Sequence, residues 1–202
     1  MSIAIDAASV MKLREQTGAG VMECKRALQD AQGNVDKAVE LLRERGLLKA
    51  AKKAGRAAKE GRILTYVHHD GKTAAMVELN CETDFVARNE LFQTLGRDIA
   101  MHVAARAPQF ISKDDVPTEV LENEKRIYRT QAMSEGKPES VAEKIAEGRL
   151  NKFFFQEVCL LEQPFVKDEG KTIRELIQEH IAKLGENIVV GRFVRFKVGE
   201  AS

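Results

Sequence analysis

Two β-rich segments on either side of an Asp-Gly pair restrict how the middle of this chain can fold. The runs ILTYVHH and KTAAMVELN flank Asp70 and Gly71. Asp-Gly between such runs is a strong signal for a β-hairpin, because its tight turn needs positive φ angles that glycine adopts easily. We therefore predict two antiparallel strands here. Segments with helical periodicity lie on both sides, so the expected fold class is α+β.

The chain before residue 46 is predicted to form three short helices. The glycine-rich TGAG (17–20) ends the first and Gly33 ends the second, and Asn34 caps the third, which we expect to end at Gly46. Spacing of three and four residues predicts these inward side chains: Val10 and Leu13; Val21, Cys24, Leu28 and Ala31; Val35, Ala38, Val39 and Leu42. A module this small buries little area, so we expect it to pack on another surface.

A segment rich in lysine, arginine and alanine follows at residues 47–61, LLKAAKKAGRAAKEG. It has few large apolar residues and no aromatic residue for stacking on bases. This composition favours a solvated, partly helical tether. RNA contact through the basic side chains is the alternative.

Further helices are predicted on both sides of residue 117. One starts near Asn89, with Phe92, Leu95, Ile99 and Val103 on one stripe. Two more surround EGKP (135–138) and form an antiparallel helical hairpin at 117–152. The apolar residues that mark these two helices are Val120, Leu121, Ile127, Tyr128 and Met133, then Val141, Ile145, Leu150 and Phe153.

The C-terminal part is predicted to contain one helix and one strand. Thr172 and Glu175 form a capping box, and Gly185 ends the helix whose inward residues are Ile173, Ile177, Ile181 and Leu184. The strand after it is predicted to be half-buried and antiparallel, with Val194, Phe196 and Val198 on one face and Arg195 and Lys197 on the other. We expect a three-helix module at 1–46, a linker at 47–61, a core of small mixed or antiparallel sheet and helices at 62–116 and 153–202, and the inserted helical hairpin at 117–152.

Composition excludes several classes of protein. The net charge is +1, so no global field attracts nucleic acid or anionic membranes. Cys24, Cys81 and Cys159 are far apart, which favours reduced thiols in a cytoplasmic protein over a disulfide framework. No signal peptide and no membrane-length apolar run is evident, so we expect no membrane contact.

Motifs of covalent catalysis or cofactor binding are weak. DGKT (70–73) lacks the upstream glycine of a phosphate-binding loop, and TGAG follows no strand. His68 and His69 point to opposite faces of a strand, so a metal site with Cys81 is a minor alternative. We expect no cofactor and no metal, and a protein that binds a partner rather than an enzyme.

The segment TDFV (83–86) has two interpretations. Thr83 and Asp84 can start a local turn, with Phe85 folded back onto the chain's own core. Alternatively, Phe85 is an exposed wedge for a partner protein, with Asp84 as the adjacent polar element.

Two long motifs decide between these interpretations by resemblance. LREQTGAGVMECKRAL (13–28) and ELNCETDFVAR (78–88) resemble the two signature segments of the translation elongation factor Ts family. GKPESVAEKIAEGRL, QPFVKD and GRFVRFKVGE resemble later segments of that family, so the likeness covers nearly the whole chain.

The resemblance implies a guanine-nucleotide exchange factor for elongation factor Tu. It implies a ubiquitin-associated-like N-terminal module and a protruding coiled-coil hairpin. Only one core repeat is evident, as in the short form of the family, which implies a homodimer. We also expect no direct nucleic acid contact.

The same resemblance implies the residues that bind elongation factor Tu. The segment that would displace Mg²⁺ in the partner consists of Thr83, Asp84, Phe85 and Val86. The N-terminal module would contact elongation factor Tu through Val21, Met22 and Lys25. The alternatives are a ribosome-associated RNA-binding protein that uses the basic linker, and a metal-dependent enzyme that uses His68, His69 and Cys81.

Overall fold

The computed structural model describes residues 5–200 and has an α+β fold, as predicted. The helices are α1 (Ala7–Thr17), α2 (Val21–Asp30), α3 (Val35–Ala51), α4 (Asp84–Arg88), α5 (Glu90–Arg106), α6 (Thr118–Ser134), α7 (Glu139–Arg149), α8 (Phe155–Val158) and α9 (Ile173–Leu184). The strands are β1 (Glu60–Val67), β2 (Thr73–Cys81), β3 (Pro164–Phe165), β4 (Asp168–Thr172) and β5 (Ile188–Lys197). A π-helical turn, Leu150–Phe154, joins α7 to α8.

The described chain forms two compact units. The first contains the residues up to Arg62 together with 80–93 and 177–189. The second contains 63–79, 94–176 and the residues from Val190 onward. The residues predicted to bind a partner protein, Thr83 to Val86 with Val21, Met22 and Lys25, belong to the first unit.

Helices α1, α2 and α3 share one apolar core, as their periodicity predicted. It contains the buried residues Val10, Leu13, Cys24, Ala27, Leu28, Ala31 and Ala38. The Asn34 side chain caps α3 by accepting a hydrogen bond from the Lys37 N–H at 3.0 Å. Two inward assignments are wrong, because Val21 is 42% exposed and Val39 is 36% exposed.

The prediction that Gly46 ends the third helix is also wrong, because α3 continues to Ala51. The residues after Gly46 are leucine, lysine and alanine, which are strong helix formers. Gly46 lies against α9: a Cβ placed on it would be 3.4 Å from the Ala182 Cβ. Part of the predicted solvated tether is therefore a packed helix, and Ala50 is 2% exposed.

The predicted hairpin is present, and it forms most of a three-stranded sheet with the order β1-β2-β5. Its turn places Gly71 at φ +68°, and the Gly71 N–H donates to the His68 carbonyl at 2.8 Å. Helix α5 covers one face of this sheet. Gly96 makes the close approach possible, because a Cβ there would lie 2.4 Å from the Leu64 Cγ.

The predicted last strand is present, and the face that carries its apolar residues is the exposed one. Val194, Phe196 and Val198 are 36%, 63% and 73% exposed, whereas Arg195 Nε donates to the Ala104 carbonyl of α5 at 2.9 Å. The burial alternation shifts by one residue after Val190, which is buried. A one-residue shift moves every following side chain to the opposite face.

Helices α6 and α7 pack against each other through small side chains. The fully buried residues are Ala132, Ala142 and Ala146, while the larger Ile127 and Val141 stay exposed. Lys125 and Glu143 form an ion pair across the two helices at 2.7 Å. The antiparallel pair β3–β4, which follows α8, was not predicted from the sequence.

The predicted capping box of α9 is confirmed. The Thr172 N–H donates to Glu175 Oε2 at 2.9 Å, and the Glu175 N–H donates to Thr172 Oγ1 at 3.2 Å. The helix ends as expected at Gly185, which has φ +81° and donates its N–H to the Ile181 carbonyl.

Candidate partner-binding site

The TDFV segment forms a short helix of its own directly after β2. Thr83 is the N-cap of α4, and its Oγ1 accepts a hydrogen bond from the Val86 N–H at 3.5 Å. Asn89 is extended and ends this helix, and α5 begins at Glu90. The predicted helix start near Asn89 is confirmed, and the separate helix before it was not foreseen.

Phe85 is 80% exposed and does not fold back onto the chain's own core. The buried residue of α4 is Ala87, at 4% exposure, and Val86 is half-buried. Burying a phenylalanine side chain releases about 1.5–3 kcal/mol. The fold leaves most of that free energy unused at Phe85, so the side chain is free to contribute it to an interface.

Asp84 lies beside Phe85 at the surface. Its carboxylate pairs with the Arg88 guanidinium at 2.9 Å, with the two side chains 47% and 71% exposed. An exposed pair of this kind contributes at most about 1 kcal/mol, so Asp84 can exchange Arg88 for another partner at little cost. Arg88 adds a cation to the site that was not predicted from the sequence.

A distant carboxylate fixes the start of α4. Glu186 Oε2 accepts hydrogen bonds from the Glu82 N–H at 3.1 Å and the Thr83 N–H at 3.0 Å, and Glu186 Oε1 accepts one from the Thr83 hydroxyl at 2.6 Å. Bonds to an ionised acceptor are stronger than neutral ones. No motif pointed to Glu186, which lies more than 100 positions from its partners.

Asn187 extends the same arrangement to the basic segment after α3. Its backbone N–H donates to Glu82 Oε1 at 2.7 Å, and its side-chain amide donates to the Arg56 carbonyl at 2.8 Å and the Ala54 carbonyl at 3.4 Å. Arg56 also pairs with Glu82 at 3.5 Å. Asn187 is 3% exposed, so the segment predicted as a solvated tether is fixed to the protein.

Cys81 is a buried neutral thiol under this site. Its Sγ–H donates to the Thr83 carbonyl at 3.1 Å. Burial, together with the charges of Glu186 and Glu60, raises the pKa of this thiol to about 11. The raised pKa keeps this thiol protonated at neutral pH, so it is a weak nucleophile there.

His68 and His69 do not point to opposite faces of a strand as expected, because β1 ends at Val67. His68 Nδ1 lies 3.1 Å from the Tyr66 hydroxyl, and the rings of His68 and His69 contact each other. Over residues 5–200, no group of three His, Cys, Asp or Glu side chains is arranged to hold a metal ion.

The second set of predicted site residues shares one side of α2. Val21 is 42% exposed, Met22 is 60% exposed, and Lys25 is exposed one turn further along. The opposite side of α2 is buried against α1 and α3. This apolar side next to a lysine suits protein recognition, because the fold itself does not cover it.

No helix within the described range 5–200 has both the length and the hydropathy needed to cross a membrane.

Comparisons with known proteins agree over nearly the whole chain. The family model described as Elongation factor TS matches residues 6–200. The Elongation factor Ts of Acetivibrio thermocellus is 58% identical over 97% of this chain and 91% of its own length. That of Thermosipho melanesiensis is 59% identical over 97% of this chain and 100% of its own length, and that of Maridesulfovibrio salexigens is 57% identical over 98% and 96%. On this evidence the chain belongs to the elongation factor Ts family.

Proposed function

We propose that this protein is the guanine-nucleotide exchange factor for elongation factor Tu: it binds the GDP-loaded partner, dislocates its Mg²⁺ and accelerates GDP release. Its family makes it a translation elongation factor that acts by nucleotide exchange rather than by covalent chemistry. The observation that carries the proposal is Phe85, an aromatic side chain that is 80% exposed on a short helix held by Glu186.

An exchange factor works through a difference in affinity. It must bind nucleotide-free elongation factor Tu more tightly than the GDP-loaded form, and linkage then weakens GDP binding by the same factor. A ligand with equal affinity for both forms would shift nothing. The proposed source of the difference is the segment Thr83 to Val86.

In this scheme Phe85 inserts between structural elements of the partner, and Asp84 disturbs the groups that hold Mg²⁺ and its waters. Loss of the metal removes charge neutralisation at the GDP phosphates, so GDP leaves faster. Phe85 suits this role because an aromatic side chain has two torsions and loses little entropy on binding. Thr83 caps the N-terminus of α4, and the half-buried Val86 donates its N–H to that cap.

The helices α1–α3 form the second grip, as a ubiquitin-associated-like module. Val21 and Met22 supply apolar contact and Lys25 a polar contact. These side chains are exposed on α2 while the opposite side is buried, which supports their use in an interface. The pair α6–α7 would be the coiled-coil hairpin of the family.

A homodimer belongs to the same proposal. The open face of the three-stranded sheet carries exposed apolar side chains, namely Ile63, Val67, Met76, Val194, Phe196 and Val198. Such a patch marks an interface, and a two-fold dimer covers it with the same patch of a second copy. Sedimentation velocity tests this: Phe196→Asp should yield monomers, whereas Leu48→Asp, at a similarly exposed site in α3, should not. A wild-type chain that sediments as a monomer at micromolar concentration refutes the dimer.

The alternative function, RNA binding through the basic segment, has less support. Three of its cations contact protein groups: Lys49 pairs with Glu23, Lys53 donates to the Gly185 carbonyl, and Arg56 pairs with Glu82. RNA affinity that falls steeply with salt would favour this alternative.

Release of a fluorescent GDP analogue from preloaded elongation factor Tu tests the main proposal. The wild-type chain should accelerate release at micromolar concentration, and Phe85→Ala should lower the maximal rate about tenfold or more. The thermal midpoint of Phe85→Ala should stay within about 2 °C of wild type, because the removed ring is largely solvated. Phe153→Ala is a matched control, since Phe153 is a 55% exposed aromatic elsewhere in the chain. A wild-type chain without effect on GDP release would sink the proposal.

A further inference from the structure

We infer that Glu186 and Asn187, the two residues after Gly185, are positioning residues for exchange. They hold α4 and the segment after α3 in fixed places, so that Phe85 and the exposed side of α2 meet the partner together. The inference rests on the proposed function and deepens it, and neither residue is offered as a contact with the partner.

The helix α4 cannot fix its own orientation. It has five residues, whereas isolated helices shorter than about 12 residues are marginal in water. Its N-cap bond from the Val86 N–H to Thr83 Oγ1 is long, at 3.5 Å. The stronger restraint is the Glu186 carboxylate, which accepts from the Glu82 N–H, the Thr83 N–H and the Thr83 hydroxyl.

Asn187 connects this restraint to the N-terminal helices. Its side-chain amide binds the carbonyls of Ala54 and Arg56, and its backbone N–H binds the Glu82 carboxylate. Asn187 is 3% exposed, so these hydrogen bonds are shielded from competing water.

The last turn of α9 adds packing contacts to the same helices. A Cβ on Gly18, at the end of α1, would lie 3.0 Å from the Lys183 Cε, and one on Gly46 would lie 3.4 Å from the Ala182 Cβ. Lys53 donates to the Gly185 carbonyl. One short stretch, Ala182 to Asn187, therefore contacts both the N-terminal helices and the start of α4.

This arrangement predicts separable kinetic effects. A loosened α4 aims Phe85 poorly, and a misplacement of about 1 Å can cost as much as a hundredfold in rate. Glu186→Ala should therefore lower the maximal rate of GDP release about tenfold. The concentration for half-maximal release should change less than about threefold, because α2 still grips the partner.

Glu186→Gln should retain most of the maximal rate. The glutamine Oε1 can accept from both backbone N–H groups, and its amide can donate to the Thr83 hydroxyl. A group needed only for its charge would not be rescued in this way. Glu162→Ala is the matched control, because Glu162 is a partly buried carboxylate that pairs with Lys113 and Arg174 in the second unit.

The experiment measures GDP release by stopped flow with the full chain and these three variants, and hydrogen exchange of the α4 amides in the free protein. We expect Glu186→Ala to lose both maximal rate and α4 protection, while Glu186→Gln and Glu162→Ala keep both. Wild-type rates and protection in Glu186→Ala overturn the inference, as does an equal loss in Glu186→Gln. If the wild-type chain does not accelerate GDP release from elongation factor Tu, the proposed function is wrong. The hydrogen-exchange data alone then decide whether Glu186 holds α4.

Discussion

Lowering the pH from 7.5 to 5 should destabilise this protein through His102, a buried side chain of the second unit. His102 is 0% exposed, and burial lowers its pKa from 6.5 to about 4. Its ring is held at both nitrogens: Nε2 lies 2.9 Å from Gln163 Oε1, and Nδ1 accepts from the Val166 N–H at 3.3 Å. Protonated Nδ1 would face another donor, so the neutral ring is the form that fits.

The sign and size follow from linkage. The pKa is depressed in the fold, so the unfolded chain binds a proton first as the pH falls through 6.5. Protonation of His102 therefore does not change the free energy of unfolding above that pH. It lowers this free energy progressively between about pH 6.5 and 4. The full difference is about 3 kcal/mol, and about 2 kcal/mol of it is lost by pH 5.

Urea unfolding followed by circular dichroism at several pH values measures this loss. His102→Gln removes the titration and should flatten the pH dependence relative to wild type, whatever its stability at pH 7.5. His69→Gln, at an exposed position, should keep the wild-type slope. Equal slopes for wild type and His102→Gln between pH 7 and 5 would refute the assignment.

Three further perturbations follow from the packing. Gly96→Ala should destabilise the fold by about 1–2 kcal/mol in chemical denaturation, because the new Cβ overlaps Leu64 and this steric cost exceeds the gain in helix propensity. An unchanged midpoint would contradict this. Gly46→Ala should stabilise the fold by up to about 1 kcal/mol, since Gly46 is inside α3 and the new Cβ only touches Ala182. A loss of stability would instead favour the helix end at Gly46 that was expected from the sequence. Cys81, buried with a pKa of about 11, should react with a thiol reagent at pH 8 only after urea is added, and rapid native labelling would show that it is accessible.

Local signals in the sequence predicted the parts of the fold that local physics controls. Asn34, the Thr172–Glu175 capping box and the Asp70–Gly71 turn each act within four residues, and each is present. Gly46 misled because glycine is common both at helix ends and where two helices pack closely. Its Ala182 neighbour lies far along the chain, so the sequence alone could not separate these uses.

The last strand shows why face assignments are harder than strand assignments. The alternation of Val194, Phe196 and Val198 with Arg195 predicted a strand, which is present, but it could not say which set faces the helices. The burial alternation changes after Val190, and the Arg195 guanidinium donates to the Ala104 carbonyl of α5, so the polar set faces the helix. The apolar residues face outward as a result, which gives the proposed dimer its surface.

The candidate site also contains residues that a local motif identified and residues that only the structure shows. A motif identified Thr83 to Val86, but the same motif is compatible with Phe85 as an exposed wedge and with Phe85 folded onto the core. What separates them is the pair Glu186–Asn187, whose hydrogen bonds to Glu82 and Thr83 span 103–105 residues. Those bonds hold the start of α4, the helix on which Phe85 is exposed. The function proposed for Phe85 therefore depends on residues outside the motif, and variants at Glu186 test it without changing any proposed contact with the partner.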